Sequence, residues 1–273
     1  MPHDWRAAVL AMCLALAVGP SCAGSSSDVT SPPSGNNPPP SPQPGPPIPN
    51  PAGLGSGARV LFIGNSLTYA NDLPAQVLAM ATAEGLNWDV QTELLSGASL
   101  EDHWQRGSAQ ARIQSGHWDA VVLQQGPSSL PESRTNLRQW VAEFDGLVRA
   151  AGGRSALYMV WPEFIRFSWF DRVRDSYALA ARDVSGWFLP AGESWRAAWR
   201  ADPSLALYGA DGFHPTAAGS YAAALTIFAG LSGRSPLGLP APATVDPTNA
   251  ERLQQAAQKA LEQYSDYGPV NAP

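Results

Sequence analysis

Residues 60–74, VLFIGNSLTYANDLP, begin as an apolar run and end as the start of a helix. Val60 to Ile63 suit a strand covered on both faces, and Gly64 permits the sharp bend that must follow. Ser66 then stands at the mouth of that strand. The continuation DLPAQVLAMATAEG, residues 72–85, has helical spacing and a glycine stop. A strand running straight into a helix is half of a βα unit, and the alternation recurs downstream. Strand-like runs lie at 89–95, 119–124, 155–161 and 186–192. Helical spacing is found near 100–115, 133–151, 168–184, 216–230 and 247–264. The pattern predicts an α/β fold with a parallel sheet and right-handed crossovers.

The 273 residues are 44% hydrophobic and 15% charged, which is enough to build a core and excludes full disorder. The net charge of −6 offers no electrostatic footprint for nucleic acid. Residues 1–22 carry Arg6, an apolar run from Ala7 to Val18 and then small residues, as a secretory signal does. Cys22 at its end resembles a bacterial lipoprotein acylation site; a simply cleaved signal is the alternative. Residues 23–57 are rich in Pro, Ser and Gly and form an extended linker, so the globular domain spans 58–268. The protein is expected to be exported, held on a membrane facing the periplasm or cell surface if Cys22 is acylated, and secreted otherwise. The other cysteine, Cys13, lies in the signal, so the domain has neither a disulfide nor a thiol nucleophile.

In an open parallel sheet, ligands bind beyond the carboxyl ends of the strands. Three turns meet there: Gly64, Asn65 and Ser66 after the first strand, SGASLEDHW (96–104) after the second, and QQGPSS (124–129) after the third. A serine nucleophile needs a base, usually histidine. The domain offers His103, His117 and His214. His103 reads as a surface or packing residue on a helix, and His117 lies in a turn before a strand. His214 follows Asp211 by three residues in YGADGFHPTAAG, with Gly212 between, so the carboxylate can hold one ring nitrogen while the other faces the nucleophile. Taken singly, each residue has an ordinary structural reading, Ser66 as a helix start and Asp211 as a turn residue. No dinucleotide or phosphate-loop glycine pattern and no zinc-protease motif is present, and neither cofactor nor metal is expected.

With these residues in place the chain resembles the SGNH hydrolases, the GDSL-type esterases and lipases. IGNSLT resembles their first block, LSGASLEDHW their second and DGFHPTAAG their last. The resemblance implies a flavodoxin-like three-layer α/β/α sandwich and acyl transfer to water through a serine ester. It implies Ser66 as nucleophile, Asp211 and His214 as its partners, and the amides of Ser66 and Gly97 as oxyanion donors. Two departures stand out. Asn65 replaces the usual aspartate, and the third block lacks its asparagine. Gln125 is the first candidate to replace that donor and Ser128 the second.

The expected function is a serine esterase for short-chain or O-acetyl esters on carbohydrates. Trp104, Trp161 and Glu163, near strand ends, are candidate substrate contacts. The alternatives are a lipase or lysophospholipase of the same superfamily, and a carbohydrate-binding lipoprotein with an impaired site.

Overall fold

The computed structural model describes residues 53–265. The signal, Cys22, the linker through residue 52 and residues 266–273 lie outside them. The elements run β1 (Arg59–Gly64), α1 (Ser66–Tyr69), α2 (Leu73–Ala83), β2 (Asp89–Leu94), α3 (Leu100–Arg106), α4 (Ser108–Gln114) and β3 (Ala120–Leu123). Then follow α5 (Pro131–Ala150), β4 (Arg154–Tyr158), α6 (Phe170–Asp183), β5 (Trp187–Leu189), α7 (Ala191–Ala201), α8 (Ala217–Ser232) and α9 (Pro247–Gln263).

All five strands are parallel, in the order β2-β1-β3-β4-β5. The chain leaves β1 for β2 on one side and returns to β3 on the other. The carboxyl ends of β1 and β3 therefore flank the switch point where such sheets open a crevice. Val60 to Ile63 of β1 and all of β3 are fully buried, while the edge strand β2 is partly exposed along its length.

One helical layer contains α4, α5 and α6, and the other α2, α7, α8 and α9, giving a three-layer sandwich. Helix α8, AAGSYAAALTIFAGLS, is buried from Gly219 to Ser232. A helix apolar all round belongs between layers, and α8 packs against β5, α2, α7 and α9. Its small residues permit this closeness: a Cβ on Gly219 would lie 2.4 Å from the Leu207 carbonyl oxygen and 2.6 Å from Trp195 Cζ2.

Two elements differ from the sequence reading. The helix expected over 100–115 is two helices, because Gly107 takes φ +82° and ends α3. The strand expected over 186–192 stops at Leu189. Pro190 has no N–H for the ladder, and α7 starts at Ala191, burying Trp195, Ala197 and Ala198.

Candidate active site

β1 delivers the chain to the crevice. Asn65 remains extended, with φ −126° and ψ −156°, and its Oδ1 accepts from the Leu67 amide at 3.1 Å. This cap starts α1 at Ser66 and fixes the serine just beyond the strand.

The partner loop is built at the far end of the chain. Tyr208 and Pro215 form an antiparallel bridge, and the Gly209 amide donates to the His214 carbonyl at 2.7 Å. Gly212, at φ +68°, turns the chain between them. Asp211 Oδ1 accepts from the amides of Phe213 at 3.0 Å and His214 at 2.9 Å. Its Oδ2 accepts from His214 Nδ1 at 2.6 Å. With the hydrogen on Nδ1, the other ring nitrogen is free to accept, and His214 Nε2 lies 2.9 Å from Ser66 Oγ. The Asp211 carboxyl is held down at about 2, first by the His214 ring hydrogen bond and then by the Phe213 amide.

Around this chain of contacts, the Ser66 and Gly97 amides have no hydrogen-bond partner among the described residues. Gly97 sits at φ +67° in an exposed turn. Asn65 Nδ2 donates to the neighbouring Ala98 carbonyl at 2.8 Å and ties that turn to the one carrying Ser66. One of these N–H groups is the serine's own and the other lies in the turn that Asn65 braces; bare amides of this kind can receive negative charge on a carbonyl oxygen.

Other sequence candidates take different places. Gln125 is buried, and its carboxamide is spent on bracing loops. Oε1 accepts from the Leu100 amide at 3.1 Å, and Nε2 donates to Ser128 Oγ at 2.9 Å and towards Asn136 Oδ1 at 3.5 Å. Ser128 Oγ in turn donates to the Gly126 carbonyl at 3.1 Å, so neither residue presents a free third donor. Trp161 is fully buried rather than lining a pocket. Its Nε1 donates to the Phe213 carbonyl at 2.9 Å, and its ring stacks on Trp195 with centroids 3.6 Å apart. Trp104 packs its ring on Trp140 and Phe144. Glu163 pairs with Arg166 at 3.3 Å, beside the Phe164 amide that donates to the Gly212 carbonyl. Of its two sequence readings His103 takes the packing one: it is buried, with Nε2 donating to the Gly64 carbonyl at 2.9 Å. His117 precedes β3, at the opposite edge of the sheet.

Two contributors have no sequence signal of their own. Asn71 Nδ2 donates to the Pro215 carbonyl at 3.1 Å and to Ser220 Oγ at 2.9 Å, joining the first turn to the last. Gln124 joins the first turn to the third. Behind the Asp211–His214 loop lies an apolar groove of about 540 Å³, lined in part by Phe164, Phe167, Trp199, Leu205, Leu207 and Tyr208. Among the described residues, no cluster of three or more His, Cys, Asp and Glu could hold a metal ion.

No family model and no curated protein matches the chain. Solved structures do. A protein from Slackia heliotrinireducens assigned to the SGNH hydrolases is 31% identical, with TM-score 0.54, over 63% of this chain and 98% of that one. A DUF4886 family protein from Bacteroides uniformis is 20% identical, with TM-score 0.65, over 79% of this chain and 98% of its own. Axe2, an acetylxylan esterase from Geobacillus stearothermophilus, in a catalytic-mutant form, is 20% identical, with TM-score 0.51, over 65% and 95%.

Proposed function

This chain belongs to the SGNH hydrolase superfamily, and from that premise we propose that it is a serine esterase working through an acyl-enzyme. The observation that carries the reading is the continuous contact from Asp211 through His214 to Ser66 Oγ, at 2.6 and 2.9 Å.

Ser66 Oγ attacks the ester carbonyl carbon as its proton passes to His214 Nε2. Negative charge gathers on the carbonyl oxygen and is met by the amides of Ser66 and Gly97. The bond to the alcohol oxygen breaks, and His214 hands its proton to that oxygen. The acyl group is now an ester of Ser66. Water then loses a proton to His214 and attacks the same carbon, and the acid leaves as Ser66 Oγ regains its hydrogen. Asp211 stays ionised throughout, holds the ring and offsets the imidazolium charge.

The leading substrate class is short-chain or O-acetyl esters on carbohydrates, supported by the fold shared with an acetylxylan esterase. A second reading, longer or lipid-like acyl esters, is favoured by the apolar groove and by its lining, where Phe164 is 65% and Phe167 45% exposed. The two separate on matched series of p-nitrophenyl esters and acetylated oligosaccharides. Turnover falling with chain length supports the first reading, and turnover rising with it the second. In the same assay Ser66→Ala is expected to lose about 10⁶-fold in kcat. Equal hydrolysis by the two proteins rejects the esterase and leaves a binding protein. We also propose that Cys22 carries a lipid anchor; radiolabelled fatty acid incorporated by the wild type and lost in Cys22→Ala tests this.

A further inference from the structure

The centre of the site holds a polar side chain with no part in the chemistry above. Gln124, at the end of β3, is fully buried. Its Oε1 accepts from the Asn65 amide at 2.9 Å and from Thr68 Oγ1 at 2.7 Å. Its Nε2 donates to Asn65 Oδ1 at 3.0 Å and to the Gln125 carbonyl at 2.6 Å. Both carboxamide hydrogens and two acceptor positions are therefore used. Asn65 and Thr68 bracket Ser66, so one side chain grips the nucleophile turn on both sides.

The grip continues outward. Held by Gln124, Asn65 points Nδ2 at the Ala98 carbonyl, 2.8 Å away and one residue beyond Gly97. An aspartate at 65 would turn that donor into an acceptor facing a carbonyl. The backbone also makes room: a Cβ on Gly64 would lie 2.6 Å from Gln124 Oε1 and 2.6 Å from Thr68 Oγ1. Only glycine at 64 admits this carboxamide.

We propose that Gln124 is a positioning residue, acting through Asn65 to hold the Ser66 and Gly97 amides at a fixed angle to Ser66 Oγ. Gln125 and Ser128 are spent on other partners, so the alignment of these two amides bears on the rate. A displacement on the order of 1 Å in such a site costs about 10²-fold. The inference rests on the reading of Ser66 as nucleophile.

The test compares wild type, Gln124→Met, Gln124→Glu, Asn65→Asp and Ser66→Ala on p-nitrophenyl acetate, with thermal melts run on each. Gln124→Met and Gln124→Glu should lose about 10²-fold in kcat with little change in KM, at temperatures where circular dichroism shows them folded. Gln124→Glu should regain part of its kcat, relative to wild type, as falling pH protonates the new carboxylate and returns one donor. Asn65→Asp should lose kcat at unchanged KM, and it decides the question if both Gln124 variants fail to fold. A folded Gln124 variant with wild-type kcat overturns the proposal, as does Asn65→Asp at full rate. If Ser66→Ala is inert in that case, the nucleophile reading survives alone. If Ser66→Ala is as active as wild type, that reading falls and the proposal with it.

Discussion

Trp161 Nε1 donates to the carbonyl of Phe213 at 2.9 Å, across 52 positions of sequence, and so fastens the Asp211–His214 loop to the end of β4. Trp161→Phe keeps a ring to stack on Trp195 but leaves that carbonyl unpaired, at a cost of about 1–3 kcal/mol. The melting temperature should fall, and kcat should fall more than KM rises. A larger effect on KM for carbohydrate esters than on kcat would mean that the indole meets substrate.

Asp211→Asn should fold normally and lose about 10⁴-fold in kcat. The amide can still accept from the Phe213 and His214 N–H groups through one oxygen. Its NH₂ then faces the ring and favours the tautomer whose hydrogen points at Ser66. Steady-state kinetics on p-nitrophenyl acetate check this, and a loss under tenfold would contradict the assignment.

The depressed Asp211 carboxyl also makes a prediction about pH. A carboxylate whose folded value lies below its unfolded value of about 3.9 stabilises the fold above that value and loses the contribution as pH falls through about 2. Asp211 therefore stays charged through the ordinary working range. Activity lost on mild acidification must come from another group, and His214 has to be neutral to accept a proton. The acid limb of kcat/KM should report one proton. Across that limb the ¹³C carboxyl signal of Asp211 should stay that of a carboxylate, and protonation of Asp211 in step with the lost activity would contradict this.

Gly219→Ala places a methyl 2.4 Å from the Leu207 carbonyl oxygen and 2.6 Å from Trp195 Cζ2. Overpacking of this kind costs about 1–3 kcal/mol. Because Trp195 stacks on Trp161, activity should decline with stability. A melting temperature at or above the wild-type value would show that α8 shifts to absorb the methyl.

The succession of strands along the chain and the three turns at one edge were legible because their signals are local: buried apolar runs, a glycine at each bend, and Asp211 and His214 at a spacing that closes on itself. What escaped depends on direction across space. Gln124 and Gln125 are neighbours at a strand end, where successive side chains leave on opposite faces. Sequence cannot say which of two identical carboxamides faces β1. Trp161 extends an apolar run and looks like a pocket wall, yet Phe213 draws its polar edge inward. His103 sits in a polar-looking helix, but the carbonyl that buries it belongs to Gly64. Helix α7 was hidden behind strand-like residues, and only Pro190 marks where the ladder ends.

The serine and its base are separated by 148 positions. A polypeptide still emerging from the ribosome, or clipped ahead of His214, has the alcohol without anything to take its proton. The proposed chemistry therefore depends on a contact that only the folded chain supplies, once the loop carrying His214 has docked beside Ser66.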